Sequence, residues 1–316
     1  MTVAAPAPLE MPQQARLETE LTTRTMGGGL RLLVASGLHD GAEAERDLQR
    51  VADRIDAWAR RLTRFRDDSD LAQLNADPGR LDAVLRPTLA AALTHARAMS
   101  AATAGVVDIS LLDARLAAET GGHPSFQRVT SWSLTGEGRD RRLVREVPVR
   151  FDLDGVAKGW IADRALRLLD VYPAALVDAD GDIAVRTAGP TDWQVGVPHP
   201  EEPGVELARL HPPADWPGGR FGIATSGTSV HRWQTAQGVT HHLIDPWTGQ
   251  PAETDVVQAT VVAERAGLAE ALAKAAVIRG AQAGPEVLAA GGAWAALLLL
   301  VNGDLLVLPG TDRWLD

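Results

Sequence analysis

The chain of 316 residues contains no cysteine, which removes disulfides, thiolate metal sites and thiol nucleophiles from consideration. Its chemistry must come from oxygen and imidazole. It also lacks any surplus of positive charge: 31 Lys and Arg stand against 41 Asp and Glu, a formal net charge of −10. A surface that tracks a nucleic-acid backbone needs clustered cations to displace counterions, so nucleic acid is not the expected partner. That leaves a small molecule or another protein. Long apolar runs are missing as well. The most apolar stretch, Ala293 to Val301, is less than half of the ~20 residues that a membrane-spanning helix requires, so no membrane is expected. The opening M-T-V-A-A-P-A-P-L-E-M-P-Q-Q has neither a basic start nor an apolar core of signal-peptide length. It reads as a flexible tail over residues 1–20, ahead of one domain over 21–316, in a cytoplasmic protein.

What is present is a globular composition, 45% apolar, able to bury a sizeable core. Thr22 to Val34, around Gly27-Gly28-Gly29, predicts a first strand entered through a glycine turn. From Gly41 to Leu62, Ala44, Leu48, Val51, Ile55, Trp58 and Leu62 recur at three- and four-residue steps, one buried helical face. A second helix is expected over Arg86 to Ala102, with Pro87 in its first turn. Strands are expected at Val129 to Leu134, Arg142 to Val147 and Val149 to Leu153, then a helix from Lys158 to Leu169. Further strands follow at Ala175 to Val177, Asp182 to Arg186, Phe221 to Ala224 and Val256 to Val262. Pro198 to Gly219 reads as an exposed loop. A helix over 268–280 precedes a hairpin of Ala293 to Val301 and Leu305 to Leu308 around Asn302-Gly303. No internal repeat is visible, and without regular βαβ units the expected class is α+β, with mixed or antiparallel sheets and packed helices.

Four segments combine glycine turns with polar residues that a core does not need. Asp152-Leu153-Asp154-Gly155-Val156-Ala157-Lys158-Gly159 is a strand ending in a glycine turn that opens a helix. Unpaired N–H groups and a lysine at such a place suit a phosphate, although a plain strand-to-helix connection fits the pattern equally. Thr225-Ser226-Gly227-Thr228-Ser229 offers hydroxyls and backbone N–H groups, or simply a hydroxyl-rich turn. His241-His242-Leu243-Ile244-Asp245-Pro246-Trp247-Thr248-Gly249 concentrates groups able to move protons near neutral pH. Adjacent histidines on a strand face opposite ways, so at most one enters a site. Leu62 to Asn75 reads as a helix end passing into a capped turn.

Taken together, in this order and spacing, these segments resemble the ApbE family of flavin transferases. The matching stretches are Met26-Gly27, Thr63 to Asn75, Gly105-Val106-Val107-Asp108, Asp152 to Gly159, Thr225-Ser226-Gly227 and His242 to Gly249. The resemblance implies a cleft that binds FAD, Mg²⁺ at the pyrophosphate, and transfer of FMN to a threonine of an acceptor protein with release of AMP. It also implies that Met26, Phe65, Asn75, Val106, Val107, Asp108, Asp152, Lys158, Ser226, Gly227 and His242 contact FAD. Lys158 then serves the phosphate, His242 accepts or orients a proton, and the Gly155 carbonyl meets the metal.

The chain departs from the family's pattern on one helix. Where the family carries an Asp and a Thr that complete the oxygen site for Mg²⁺, this chain has Glu270 and Lys274, one turn apart. Glu270 is long enough to reach a metal; a charged Lys274 cannot ligate one and offers a point charge to a phosphate instead. Asp154 and Asp180 stand where the family often has glycine. Three activities therefore remain open at this level: FMN transfer, binding or delivery of flavin alone, and hydrolysis of the FAD pyrophosphate by water.

Overall fold

The computed structural model describes residues 18–35, 40–122, 128, 132–189, 191–235 and 238–315. Strands β1 (Glu18–Thr25) and β2 (Gly28–Ala35) form a hairpin, followed by helices α1 (Gly41–Leu62) and α2 (Asp70–Ala76). Strand β3 (Asp82–Val84) leads to α3 (Pro87–Ala102) and α4 (Leu112–Thr120), then to β4 (Trp132–Thr135) and β5 (Arg142–Arg145). Helix α5 (Ala157–Arg167) precedes β6 (Ala174–Ala179), β7 (Asp182–Thr187), β8 (Val195–Pro198) and β9 (Glu206–Leu210). Then come β10 (Gly219–Gly227), β11 (Arg232–Thr235), β12 (Gly238–His241), β13 (Val256–Ala263), α6 (Ala266–Gly291), β14 (Ala295–Leu300) and β15 (Leu305–Val307).

Eight strands make one sheet in the order β1-β2-β6-β7-β10-β13-β14-β15, antiparallel at every described pairing. The smaller sheets are β3-β5-β4, β8-β9 and β11-β12. This is the expected α+β class with antiparallel sheets. Side chains alternate across a strand, and the alternation here sorts two cores. Leu32, Val34, Ala175, Val177, Ala184 and Ala224 face the helices, whereas Leu33, Leu176, Ile183, Val185, Phe221 and Ile223 face the other way. Ala184, Gly222 and Ala224 on the helix side let the start of α6 approach the strands closely; a methyl on Gly222 would stand 2.1 Å from the Ala266 nitrogen. Ala269, Ala273 and Ala276 of α6, all fully buried, continue the same close packing. Among the described residues no helix is long and apolar enough to cross a membrane.

Several boundaries differ from the sequence reading. The stretch from Thr22 to Val34 is two strands rather than one, because Met26 and Gly27 take φ of 53° and 82° and reverse the chain. Strand β1 starts at Glu18, so residues 18–20 belong to the sheet rather than to a tail; residues 1–17 lie outside the described ones. The loop expected from Pro198 to Gly219 contains β9, which pairs with β8. Residues 129–131 of one expected strand are outside the described residues, and the rest of it is in β4. Val149 to Leu153 joins no sheet. Its hydrogen bonds go instead to the Asn75 side chain and the Ile109 carbonyl. Helix α6 outruns its expected end and breaks at Gly280 (φ 72°), where Asp255 Oδ1 accepts from the N–H of Ala281.

Candidate functional site

The site forms where three elements end together. At one end of the sheet, two tight turns lie side by side, Met26-Gly27 between β1 and β2 and Asp180-Gly181 between β6 and β7. Both turn residues in each have positive φ, the form that suits two-residue hairpins. Asp180 Oδ1 accepts from the Gly29 N–H at 3.2 Å, and a methyl on Gly28 would stand 2.2 Å from Asp180 Cγ. Any larger residue at 28 would have to displace the Asp180 carboxylate from this position.

The start of α5 reaches the same end. Lys158 Nζ lies 3.0 Å from Asp182 Oδ2 and 3.4 Å from the Asp180 carbonyl. Burial works against its charge, but Asp182 and Glu270 hold the ammonium above the usual lysine range. Between these turns, the end of α1 and the β11–β12 hairpin opens a cleft of about 650 Å³, lined by Met26, Phe65, Asp152 and Lys158 among others. Phe65 is 75% exposed at its lip, with the Arg64 guanidinium 4.2 Å from its ring centroid.

A smaller pocket of about 70 Å³ adjoins it, lined by Val106, Val107, Asp108, Gly155, His242 and Lys274. Arg115 and Asp152 line both spaces and so mark the junction. Arg115 is buried on α4, with Nη1 at 2.8 Å from Asp152 Oδ2 and 2.7 Å from Asp154 Oδ2. Its Nε lies 3.3 Å from Glu119, which Arg64 also meets at 2.7 Å. Burial would raise the Asp154 carboxyl, yet Arg115 outweighs burial and brings it down to about 2. Asp152 is shifted upward, because burial there outweighs the same guanidinium.

His242 Nδ1 lies 3.2 Å from the Val230 carbonyl. A carbonyl only accepts, so Nδ1 carries the proton and Nε2 keeps its lone pair. Burial, helped by Lys274 and Arg115, pushes the imidazole down to about 3, so it is neutral at ordinary pH. The structure thus gathers Met26, Phe65, Val106, Val107, Asp108, Asp152, Gly155, Lys158, His242 and Lys274 around two connected spaces. Three expected contacts are placed elsewhere. The Asn75 amide grips Phe151, donating to its carbonyl at 2.7 Å and accepting from its N–H at 2.8 Å, and it lines neither space. Ser226 and Gly227 end β10 opposite Ala259 and Gln258 and line neither space.

The residues expected to hold Mg²⁺ do not fit a divalent ion. Glu270 is fully buried, with Oε2 accepting from the Gly159 N–H at 2.9 Å and Oε1 accepting from Lys274 Nζ at 3.1 Å. Burial raises its carboxyl, opposed by the lysine beside it. An ammonium therefore occupies the oxygen a metal would need. A divalent ion 4 Å from that charge would be repelled by about 8 kcal/mol at an effective dielectric near 20. Among the described residues no group of three or more His, Asp or Glu side chains is placed to hold a metal.

Sequence reasoning missed Arg115 and Asp182. Arg115 and Glu119 read locally as an ordinary i,i+4 surface pair. Asp182 hides in a strand whose alternation turns it toward the helices, beside Ala184.

The profile described as the ApbE family matches residues 26–298. The FAD:protein FMN transferase of Treponema pallidum is 29% identical over 269 residues, covering 76% of this chain and 73% of that protein. The ApbE protein of Thermotoga maritima superposes with a TM-score of 0.76 at 22% identity, over 94% of this chain and 99% of that one. The flavin transferase ApbE from Vibrio cholerae gives 0.70 at 20% identity, over the same shares. At such identities the two structures speak for the fold, while the family match runs from the Met26 turn into β14 and takes in the site residues named above. The chain belongs to the ApbE family.

Proposed function

We propose that this chain is an FAD:protein FMN transferase, moving FMN from FAD to a threonine hydroxyl of an acceptor protein and releasing AMP. One observation carries the reading. A cleft large enough for a dinucleotide, with Lys158 at a helix start, joins through Arg115 to a pocket holding a neutral histidine.

The chemistry follows from those groups. The threonine oxygen forms a bond to the phosphorus of the FMN half as the phosphoanhydride bond breaks. AMP leaves with the electron pair of the bridging oxygen. The hydroxyl proton passes to His242 Nε2, the free lone pair of the ring. Negative charge grows on the transferring and leaving oxygens, and Lys158 and Arg115 are the cations placed to offset it. Phe65 and Met26, at the mouth of the large cleft, offer an aromatic face and a soft apolar surface to a flavin. Asn75 acts at one remove by holding the segment that carries Asp152.

Incubation of the full chain with FAD and a protein bearing an acceptor threonine tests this by mass spectrometry. The expected product is the acceptor carrying one FMN, with an equal amount of AMP. FAD bound without any adduct would reduce the chain to flavin binding or delivery, and free FMN with AMP would make it a pyrophosphatase.

A further inference from the structure

The misfit of the expected metal ligands has a positive reading. We infer that the Lys274 ammonium is the resident cation of this site, and that the chain binds the diphosphate of its dinucleotide without a divalent ion. The inference rests on the functional reading above for the identity of the ligand.

Geometry supports it at four points. The Lys274 stem lies along the loop before α5, its Cδ and Cε 3.6 and 3.7 Å from where a side-chain carbon on Gly155 would begin. The side chain is only 11% exposed, so its position is set by packing rather than by solvent. Of the three N–H bonds on Nζ, one goes to Glu270 Oε1, and the other two have no protein partner among the described residues. Lys274 itself lines the pocket together with Gly155, Arg115, Asp152 and His242.

Glu270 fits the same role as a holder rather than a ligand. It is anchored by the Gly159 N–H and cannot swing outward without leaving that donor unpaired inside the protein. It holds the Lys274 ammonium at 3.1 Å, as Asp182 holds that of Lys158 at 3.0 Å. A diphosphate spanning the two spaces meets Lys274 in the small pocket, Lys158 in the large cleft and Arg115 at their junction. An ammonium serves a phosphate as a point charge with rotatable donors, the one task of a bound cation that requires no coordination geometry.

Quenching of FAD fluorescence by the full chain, measured with EDTA and again with millimolar Mg²⁺, reads the proposal directly. For the native chain the two dissociation constants should agree within about twofold. Lys274→Thr should weaken binding about tenfold in EDTA, the loss of one charge-assisted hydrogen bond. Lys274→Arg, which keeps the charge, should bind in EDTA within a few-fold of the native chain and guards against a folding defect as the cause. Tightening of the native chain by tenfold or more on adding Mg²⁺ overturns the inference, as does unchanged FAD affinity in Lys274→Thr. Absence of FAD binding in both buffers overturns it together with the functional reading. Metal-free binding without FMN transfer would sink only the functional reading, whereas transfer that requires Mg²⁺ would sink only this one.

Discussion

The two faces of the eight-stranded sheet are built from neighbouring residues of the same strands, yet they do different work. On the face away from the helices, Trp216, Phe221, Trp294 and Trp314 pack ring against ring at centroid distances of 5.3 to 6.1 Å. On the helix face, small residues such as Ala184, Gly222 and Ala224 let α6 come close, and buried charge lies there: Glu270 on α6 and, from the strand itself, Asp182. One residue step along β7 separates Ile183 in the aromatic-side core from Asp182 under Lys158. Large rings fill most of one face, burying Phe221 and Trp314. Alanines and glycines leave room for polar groups, and each of these then needs a partner.

If the helix face performs the chemistry and the aromatic face only stability, single substitutions should separate them. The largest effect is expected for His242→Asn, which removes the proton acceptor. Transfer should fall by about 10²–10⁴ while FAD affinity changes only a few-fold. The pH profile sharpens this. The folded imidazole is held near 3, below its ordinary 6.5, so it gains a proton only in strong acid. The native kcat/KM, which reports the free enzyme, should therefore show no loss attributable to this group as pH falls through the ordinary histidine range. An acid limb centred near 6.5 and absent from the variant's residual activity would contradict that assignment.

Next in size is Trp314→Ala on the opposite face. Trp314 is 4% exposed and touches all three neighbouring rings, so its truncation should cost ~3–5 kcal/mol, read as a shift in the denaturant midpoint. Turnover per folded molecule should hold within about twofold, because distant sites without shared partners act independently. A matching loss of turnover in fully folded protein would dissolve the distinction between the faces.

This division also explains which features were legible in the sequence. Helix α1 was readable because Ala44, Leu48, Val51, Ile55 and Leu62 bury one face of a surface helix, the arrangement periodicity detects. The hairpin of β14 and β15 was readable from Asn302-Gly303. The first half of strand β1 was missed because E-T-E-L-T-T-R-T sits on a sheet edge and buries almost nothing. Strand β9 was obscured by the prolines and glycines around it. At the site, motif order singled out Lys158 and His242, which the fold brings to the two spaces, but not Arg115, since its partners Asp152 and Asp154 lie 37 and 39 residues away. Asn75, Ser226 and Gly227 show the converse, motif positions expected to meet a ligand whose hydrogen bonds or strand pairing also serve the protein itself. Local pattern reports burial, and only the assembled fold shows which charges share a pocket.

The smallest expected effect tests the boundary between the two kinds of work. Met26 holds φ at 53°, a conformation that costs a side-chain-bearing residue ~1–2 kcal/mol, beside Gly27 that adopts it freely. Met26→Gly removes that strain but adds freedom to the unfolded chain worth about 0.5–1 kcal/mol, so net stability should change by less than about 1 kcal/mol. A residue kept in a strained turn at no gain in stability has its justification in the cleft it lines. FAD affinity should accordingly fall several-fold in Met26→Gly, and likewise in Met26→Asn, which tolerates the same φ without the thioether. Unchanged affinity in both variants would place Met26 with the structural residues, and would move the working edge of the cleft inward to Phe65 and Lys158.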